Sequence, residues 1–143
     1  MINSSNVEEV KRMLKKEESP KIVLGQDDEF NRKIAENASF DIILSIESGN
    51  RRNKIRQTNS GLNHVLSRIL SKNKIAIGIN LKEIKSLDSK SKAERLDKIM
   101  QNIKLARKSN VQLAVKSRSL LEKKDFLLSL GASTKQVKEA IVF

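Results

Sequence analysis

Side chains that could carry out catalysis are scarce in this sequence. His64 is the single histidine and there is no cysteine, which excludes a multi-histidine metal site and any thiolate site. Asp41, Glu47 and Glu83 could hold Mg²⁺ at strand ends, but Asp41 falls at a predicted strand start and Glu47 at a strand end. We expect all three to be surface carboxylates. The glycines show neither the dinucleotide-binding nor the P-loop spacing, so we predict no catalytic residue and no metal site.

The basic residues are the stronger chemical signal. The sequence carries 29 Lys and Arg against 17 Asp and Glu, a net charge of +12, which favours a polyanionic partner such as nucleic acid over a merely solvated basic surface. They concentrate in two acid-free stretches, from Ser48 to Asn80 and between Asp97 and Glu122. The predicted nucleic-acid contacts are Arg51, Arg52, Lys54, Arg56, His64, Arg68, Lys72, Lys74, Arg107, Lys108, Lys116 and Arg118.

Part of this set lies in a predicted loop and part on a predicted helix. Gly49–Ser60 is polar and basic, which is typical of an exposed loop whose arginines bond phosphate oxygens with a planar fork. His64, Arg68 and Lys72 follow at i, i+4 and i+8. They form a polar stripe opposite an apolar face made by Leu62, Val65, Leu66 and Ile69.

The aromatic content limits how a nucleic acid could be recognised. There is no Trp or Tyr and there are only four Phe, so stacking of unpaired bases is a poor hypothesis. Contacts to phosphates, 2′-hydroxyls and overall shape are the better one, and these suit a folded RNA more than a single strand.

Four apolar segments that read as strands must position these residues. They are Lys21–Leu24, Asp41–Ile46, Lys74–Leu81 and Asn110–Val115. In the third, Ile75, Ile77, Ile79 and Leu81 alternate with Ala76, Gly78 and Asn80, so one face is branched and apolar and the other small or polar. This pattern predicts helices on one side of the strand and a tight interior on the other.

Helical patterns separate the strands. The first predicted helix carries Val7, Val10 and Leu14, begins after a cap at Ser5 or Asn6 and is closed by Pro20. The last carries Val137 and Ile141 and begins with a capping box of Ser133 and Gln136. The helices between them are Glu29–Asn37, the segment from Leu62 to Leu70, Lys92–Lys108, and Asp125–Leu130, which ends at Gly131. The alternation predicts an α/β fold, a partial or reduced TIM-barrel-like parallel sheet with surrounding helices, in a single domain over 1–143.

The overall hydropathy pattern bears on location. No apolar run approaches 18 residues and the first residues are polar and acidic, which argues against a membrane span or a secretory signal. The lack of cysteine fits a reducing compartment, so we expect a cytoplasmic protein.

Several segments resemble the barrel-fold protein of ribonuclease P, component three of the archaeal and eukaryotic enzyme. The most specific is Thr58–Leu81 (TNSGLNHVLSRILSKNKIAIGINL), where a Ser-Gly precedes an apolar helix, His-Val-Leu, a basic helix end and a strand of alternating isoleucines. The resemblance continues in Asn102–Ser117 and Leu130–Ile141 and reaches back to Asn31–Leu44. It covers roughly Val23 to Val142 in a shortened form, since the family generally has further strand–helix units ahead of this region.

The resemblance implies an RNA-binding subunit that supports removal of the 5′ leader from precursor tRNA. In that family the RNA carries the catalysis and its Mg²⁺ ions, so no cofactor is expected on the protein. The implied partners are ribonuclease P RNA, precursor tRNA and protein component two, with no membrane. The missing units leave sheet edges that invite association, so we expect a homodimer or heterotetramer rather than a monomer.

Two other functions remain as alternatives. One is a basic RNA- or ribosome-associated structural protein that shares only the strand–helix pattern. The other is a reduced metal-dependent phosphoesterase barrel, which the lone histidine disfavours.

Overall fold

Five short segments form one parallel sheet in the computed structural model, which describes residues 1–49 and 51–143. The strands are β1 (Ile22–Leu24), β2 (Ile42–Leu44), β3 (Ala76–Asn80), β4 (Leu113–Lys116) and β5 (Ile141–Val142), and they lie side by side in chain order. The helices in the described residues are α1 (Val7–Leu14), α2 (Asp28–Asn37), α3 (His64–Lys72), α4 (Leu81–Ser86), α5 (Ser89–Ser109), α6 (Leu120–Ser129) and α7 (Thr134–Glu139).

The strand order determines which face the helices cover. Parallel crossovers are almost always right-handed, so a sheet that grows in one direction keeps its connecting helices on one side. The larger core lies there, where Val23, Ile43, Ile77 and Leu113 are in register across four strands. They pack with buried helical residues such as Ile34, Ile99 and Ile103.

The opposite face is narrow and tightly packed. Ile42, Ala76 and Ala114 form a second, small cluster on it. A Cβ on Gly78 would lie 2.7 Å from Ile42 Cγ2 and 3.1 Å from Leu44 Cδ1, so only glycine lets these side chains close over β3. Branched residues facing helices and small ones facing inward confirm the interpretation of the third strand. Sequential parallel strands with helices outside are the arrangement of part of a TIM-type barrel, as expected.

The sheet continues one residue beyond β1. Ile2 pairs with Val23 in a parallel bridge, donating from its N–H to Ile22 O at 2.8 Å and accepting from Leu24 N at 2.9 Å. Ile2 is fully buried. A strand-like residue therefore precedes α1, where the sequence indicated a helix alone.

The predicted helix ends are mostly confirmed. Asn6 caps α1 by accepting from the N–H groups of Glu8 and Glu9, and the capping box of Ser133 and Gln136 is present at α7. Gly131 follows α6 with φ +83, the left-handed conformation predicted for that stop.

Several boundaries were wrong, among them the start of α6, which lies at Leu120 and not at Asp125. Leu81 begins α4 instead of ending β3, because Asn80 caps a new helix there. Ile141 lies in β5 and not in the last helix, which ends at Glu139. Pro20 does not close the first helix, which ends at Leu14.

No helix within the described residues is both long and apolar enough to cross a membrane.

Candidate nucleic-acid interface

The basic loop, defined here as residues 51–60, leaves the carboxyl end of β2 and is held at both ends by α5. Lys98 Nζ donates to Arg51 O at 3.0 Å, and Asn102 Nδ2 donates to Ser60 O at 3.1 Å. Lys98 and Asn102 are buried. The loop is thus fixed against the fold at its first and last residues. Asn50, which the loop prediction included, lies outside the described residues.

The side chain of Arg51 makes contacts within the fold. Its guanidinium contacts Asp28 and donates to Gln26 O at 2.6 Å, and its side chain is only 9% exposed. Arg52, Lys54 and Arg56 are exposed instead. Of the four predicted contacts in this loop, these three are the ones presented to solvent.

The tip of the basic loop is a tight turn. Lys54 and Gln57 exchange backbone hydrogen bonds at 3.0 and 3.1 Å. Arg56 adopts a left-handed φ of 64° and Ile55 is 94% exposed. Arg56 is exposed at the tip of the loop.

Beneath the loop lies a buried ion cluster at the carboxyl ends of β2 and β3. Arg95 Nε donates to Glu47 Oε1 at 2.9 Å and Arg95 Nη1 to Glu83 Oε1 at 2.8 Å. The Glu47 side chain is 0% exposed and that of Arg95 is 10% exposed. Glu47 Oε2 and Arg95 Nη2 are also buried, and neither has a hydrogen-bond partner among residues 1–49 and 51–143.

The cluster has opposing electrostatic contributions. Burial raises the pKa of Glu47, while the charge of Arg95 acts to lower it. Burial also works against the charged form of Arg95, but the charge of Glu47 and the hydrogen bond to Glu83 leave its pKa raised. Glu47 was expected to be a surface carboxylate. That prediction was wrong, because the side chain turns inward to meet a cation on α5 that is 48 residues away in sequence.

Of the three carboxylates singled out in the sequence, Asp41 lies apart from this cluster. Asp41 is exposed and accepts from Lys21 N at 2.6 Å, near the amino end of β2. Among the residues that the structure describes, no group of three or more His, Cys, Asp and Glu side chains is placed to hold a metal ion.

The remaining predicted contacts divide between the two edges of the sheet. Because all strands are parallel and each helix returns against them, strand ends and helix starts share one edge. The carboxyl edge has the basic loop, His64, Lys116 and Arg118. The amino edge has Lys72, Lys74, Arg107 and Lys108 at the ends of α3 and α5.

The stripe on α3 connects the two edges. His64, Arg68 and Lys72 are all exposed, while Leu66 and Leu70 are buried on the opposite side. Val65 was expected on the apolar face, but it is 42% exposed, and Ser67 is buried in its place. Ser67 Oγ lies 2.8 Å from Ser109 Oγ, which sets α3 against the end of α5.

A second basic surface was missed in the sequence. Lys82 and Lys85 of α4 join Lys116 and Arg118 around a cleft of about 540 Å³, which also has Phe143 in its wall. Lys82 and Lys85 lie outside both acid-free stretches, beside Glu83, so charge runs did not mark them. Their spacing of three residues on one helix face is the signal that could have identified them.

No protein-family model matches the chain. It is 26% identical over 119 residues to ribonuclease P protein component 3 of Methanococcus maripaludis (strain C7), which covers 81% of this chain and 48% of the relative. With the protein of the same name from Methanocaldococcus jannaschii it shares 32% identity over 85 residues, or 59% of this chain and 34% of the relative. The chain thus spans about half the length of the first of these relatives and a third of the second.

A solved structure shares the fold. A chain in the cryo-EM structure of archaeal ribonuclease P with mature tRNA superposes with a TM-score of 0.74 and 25% identity, covering 92% of this chain and 57% of that chain. In sequence and in fold, the chain is thus similar to ribonuclease P protein component 3 and to a chain of archaeal ribonuclease P.

Proposed function

We propose that this protein is an RNA-binding subunit of ribonuclease P that supports RNA-catalysed removal of the 5′ leader from precursor tRNA. The observation that carries the proposal is the similarity to component 3 over 81% of the chain, in a protein with a net charge of +12. The exposed arginines and lysines at the sheet edges suit phosphate contacts, which position a protein on RNA without reading its sequence. The role goes with a cytoplasmic location.

In this proposal the protein stabilises the RNA and does not react with the substrate. The RNA subunit would hold the catalytic Mg²⁺, and neutralising crowded phosphates favours its compact form. The contribution of the basic loop depends on its being fixed in advance by Lys98 and Asn102, because a loop that is already ordered loses less conformational entropy on binding.

The proposed partners are ribonuclease P RNA, precursor tRNA and protein component two, in a homodimer or a heterotetramer. Exposed leucines on α6 support a protein partner at this helix: Leu120, Leu121 and Leu128 are 70%, 65% and 45% exposed. Leu120→Ser/Leu121→Ser should reduce co-purification with component two while the thermal midpoint stays unchanged. If the wild type and the variant recover equal amounts of component two, Leu120 and Leu121 of α6 are not the contact.

The RNA-binding role is tested by reconstituting precursor-tRNA cleavage with ribonuclease P RNA. Arg52→Ala/Lys54→Ala/Arg56→Ala should weaken RNA affinity about tenfold or more and lower the salt slope of log K by about two. The matched control is Arg12→Ala/Lys15→Ala/Lys16→Ala, which removes the same charge from exposed positions around the end of α1. Equal losses in both variants would mean that only net charge matters.

The same preparation separates the alternatives. Ribosomal RNA that competes as well as ribonuclease P RNA would favour a general RNA- or ribosome-associated protein. Metal-dependent cleavage of phosphoesters by the protein alone would favour a reduced phosphoesterase. Cleavage of precursor tRNA that needs both RNA and protein at low Mg²⁺ is the result expected for a ribonuclease P subunit.

A further inference from the structure

We propose that the cleft between α4, β4 and β5 binds an unpaired nucleotide of the RNA, with its phosphates on Lys82, Lys116 and Arg118 and its base against Phe143. That the ligand is RNA rests on the proposed function. The geometry of the cleft is independent of that function. The cleft is lined by four cations and one carboxylate. It lies at the carboxyl ends of parallel strands, where barrel proteins usually bind ligands.

The four cations of the cleft differ in whether they are paired with a carboxylate. Lys85 is paired with Glu122, and Glu122 also accepts from the backbone N–H of Arg118 at 2.8 Å. The single carboxylate is therefore already engaged. Lys82, Lys116 and Arg118 are exposed, and their side chains make no ion pair within the described residues. These three charges are available to an anion.

Strand register brings an aromatic ring beside these charges. Val115 pairs with Val142, so Lys116 and Phe143 are the next neighbours across the β4–β5 pair, and Phe143 N donates to Val115 O at 3.3 Å. Side chains alternate along a strand, so Lys116 and Phe143 point to the inner face, as Ala114 does. Adjacent strands are about 4.8 Å apart, which places the lysine stem next to the ring.

The two kinds of group together select a nucleotide. Cations alone attract any phosphate, whereas an aromatic side chain adds stacking that every unpaired base can use. The position of Phe143 thus revises the expectation, based on the low aromatic content, that base stacking is a poor hypothesis. Phe143 is half-buried, packed on one side against the inner cluster of Ile42, Ala76 and Ala114. Phe143 also lines the cleft, together with the cations. Bases in a duplex are stacked on each other and cannot use this ring.

The probe is a fluorescently labelled single-stranded hexaadenylate, compared with an RNA duplex of equal phosphate number, using the full chain. Lys82→Ala/Lys116→Ala should weaken hexamer binding about tenfold and lower the salt slope by about one to two. Phe143→Leu keeps an apolar side chain on the inner cluster. It should weaken hexamer binding at least about fivefold without changing the salt slope or duplex binding.

The matched control is Lys104→Ala/Lys124→Ala, which removes two exposed lysines elsewhere. Hexamer binding unchanged by Phe143→Leu, or weakened equally for hexamer and duplex, would overturn base recognition. Lysine variants that behave like the control would overturn the phosphate site. If the wild-type protein supports precursor-tRNA cleavage but does not bind the hexamer, the proposed nucleotide site in the cleft is wrong and the proposed function stands. Protein that binds hexamer but gives no cleavage refutes only the proposed function.

Discussion

Replacing Arg95 by methionine tests the buried ion cluster directly. Met keeps an unbranched apolar side chain but removes both hydrogen bonds, to Glu47 at 2.9 Å and to Glu83 at 2.8 Å. Glu83 is 39% exposed and can be solvated, whereas the Glu47 side chain is 0% exposed. Leaving one carboxylate buried without its cation costs about 3–5 kcal/mol of unfolding free energy near neutral pH.

The loss should depend on pH in a defined direction. Burial already raises the pKa of Glu47, and Arg95 opposes that rise, so the pKa of Glu47 is higher still in the variant. A carboxyl group with a raised pKa binds its proton more tightly in the folded state, and stability then increases as pH falls towards its ordinary value of 4.5. Lowering the pH from about 7.5 to 5.5 should therefore restore part of the lost stability in the Arg95→Met variant.

Urea unfolding of wild type and Arg95→Met at both pH values measures this difference. The control is Glu47→Gln/Arg95→Met, which removes both buried charges, should lose less stability and has no Glu47 titration of its own. A loss below about 1 kcal/mol in the single variant, or one that is equal at both pH values, would refute the account of Glu47 as a buried, cation-dependent carboxylate.

Three further changes have expected outcomes. In chemical denaturation, Gly61→Ala should lower the free energy of unfolding by more than about 3 kcal/mol, because a Cβ there would lie 2.1 Å from the carbonyl oxygen of Ile46. Gly49 also has a positive φ but lies in open space, so Gly49→Ala should cost only about 1–2 kcal/mol. Ser133→Ala should lower stability by about 1 kcal/mol through loss of the α7 cap. Lys98→Met should increase protease cleavage in the basic loop, since it removes the contact to Arg51 O; unchanged cleavage would mean that this contact does not hold the loop.

The regular elements followed from local patterns where those patterns were unambiguous. The alternation in Ile75–Asn80 and the capping box at Ser133 depend on neighbours within a few residues, and both are present. Leu81 and Ile141 were misassigned because each continues the periodicity of the element before it. At Leu81 the deciding factor is the cap that Asn80 supplies, and at Ile141 it is pairing with Ala114.

The support beneath the basic loop could not be predicted in the same way. Arg95 bonds Glu47, which is 48 residues away in sequence, and Glu83, which is 12 residues away. Asn102 bonds Ser60, which is 42 residues away. No local sequence pattern marks such a buried polar or charged contact. Once the fold is known, their logic is simple. Arg95, Lys98 and Asn102 recur on one face of α5 at i, i+3 and i+7, which is the face that meets the loop.

The distribution of basic residues over two edges restricts how an RNA can be contacted. β3 has five residues, so the edges are about 16 Å apart, whereas charges in about 0.15 M salt are screened over about 8 Å. The two edges therefore attract phosphates independently. Only α3 among the candidate elements joins them, with His64 and Lys72 about 12 Å apart along the helix. Either one RNA segment follows α3 from edge to edge, or two segments bind separately. In the first case, losses at the two edges would be coupled through the shared segment. In the second they would add, as changes at independent sites do.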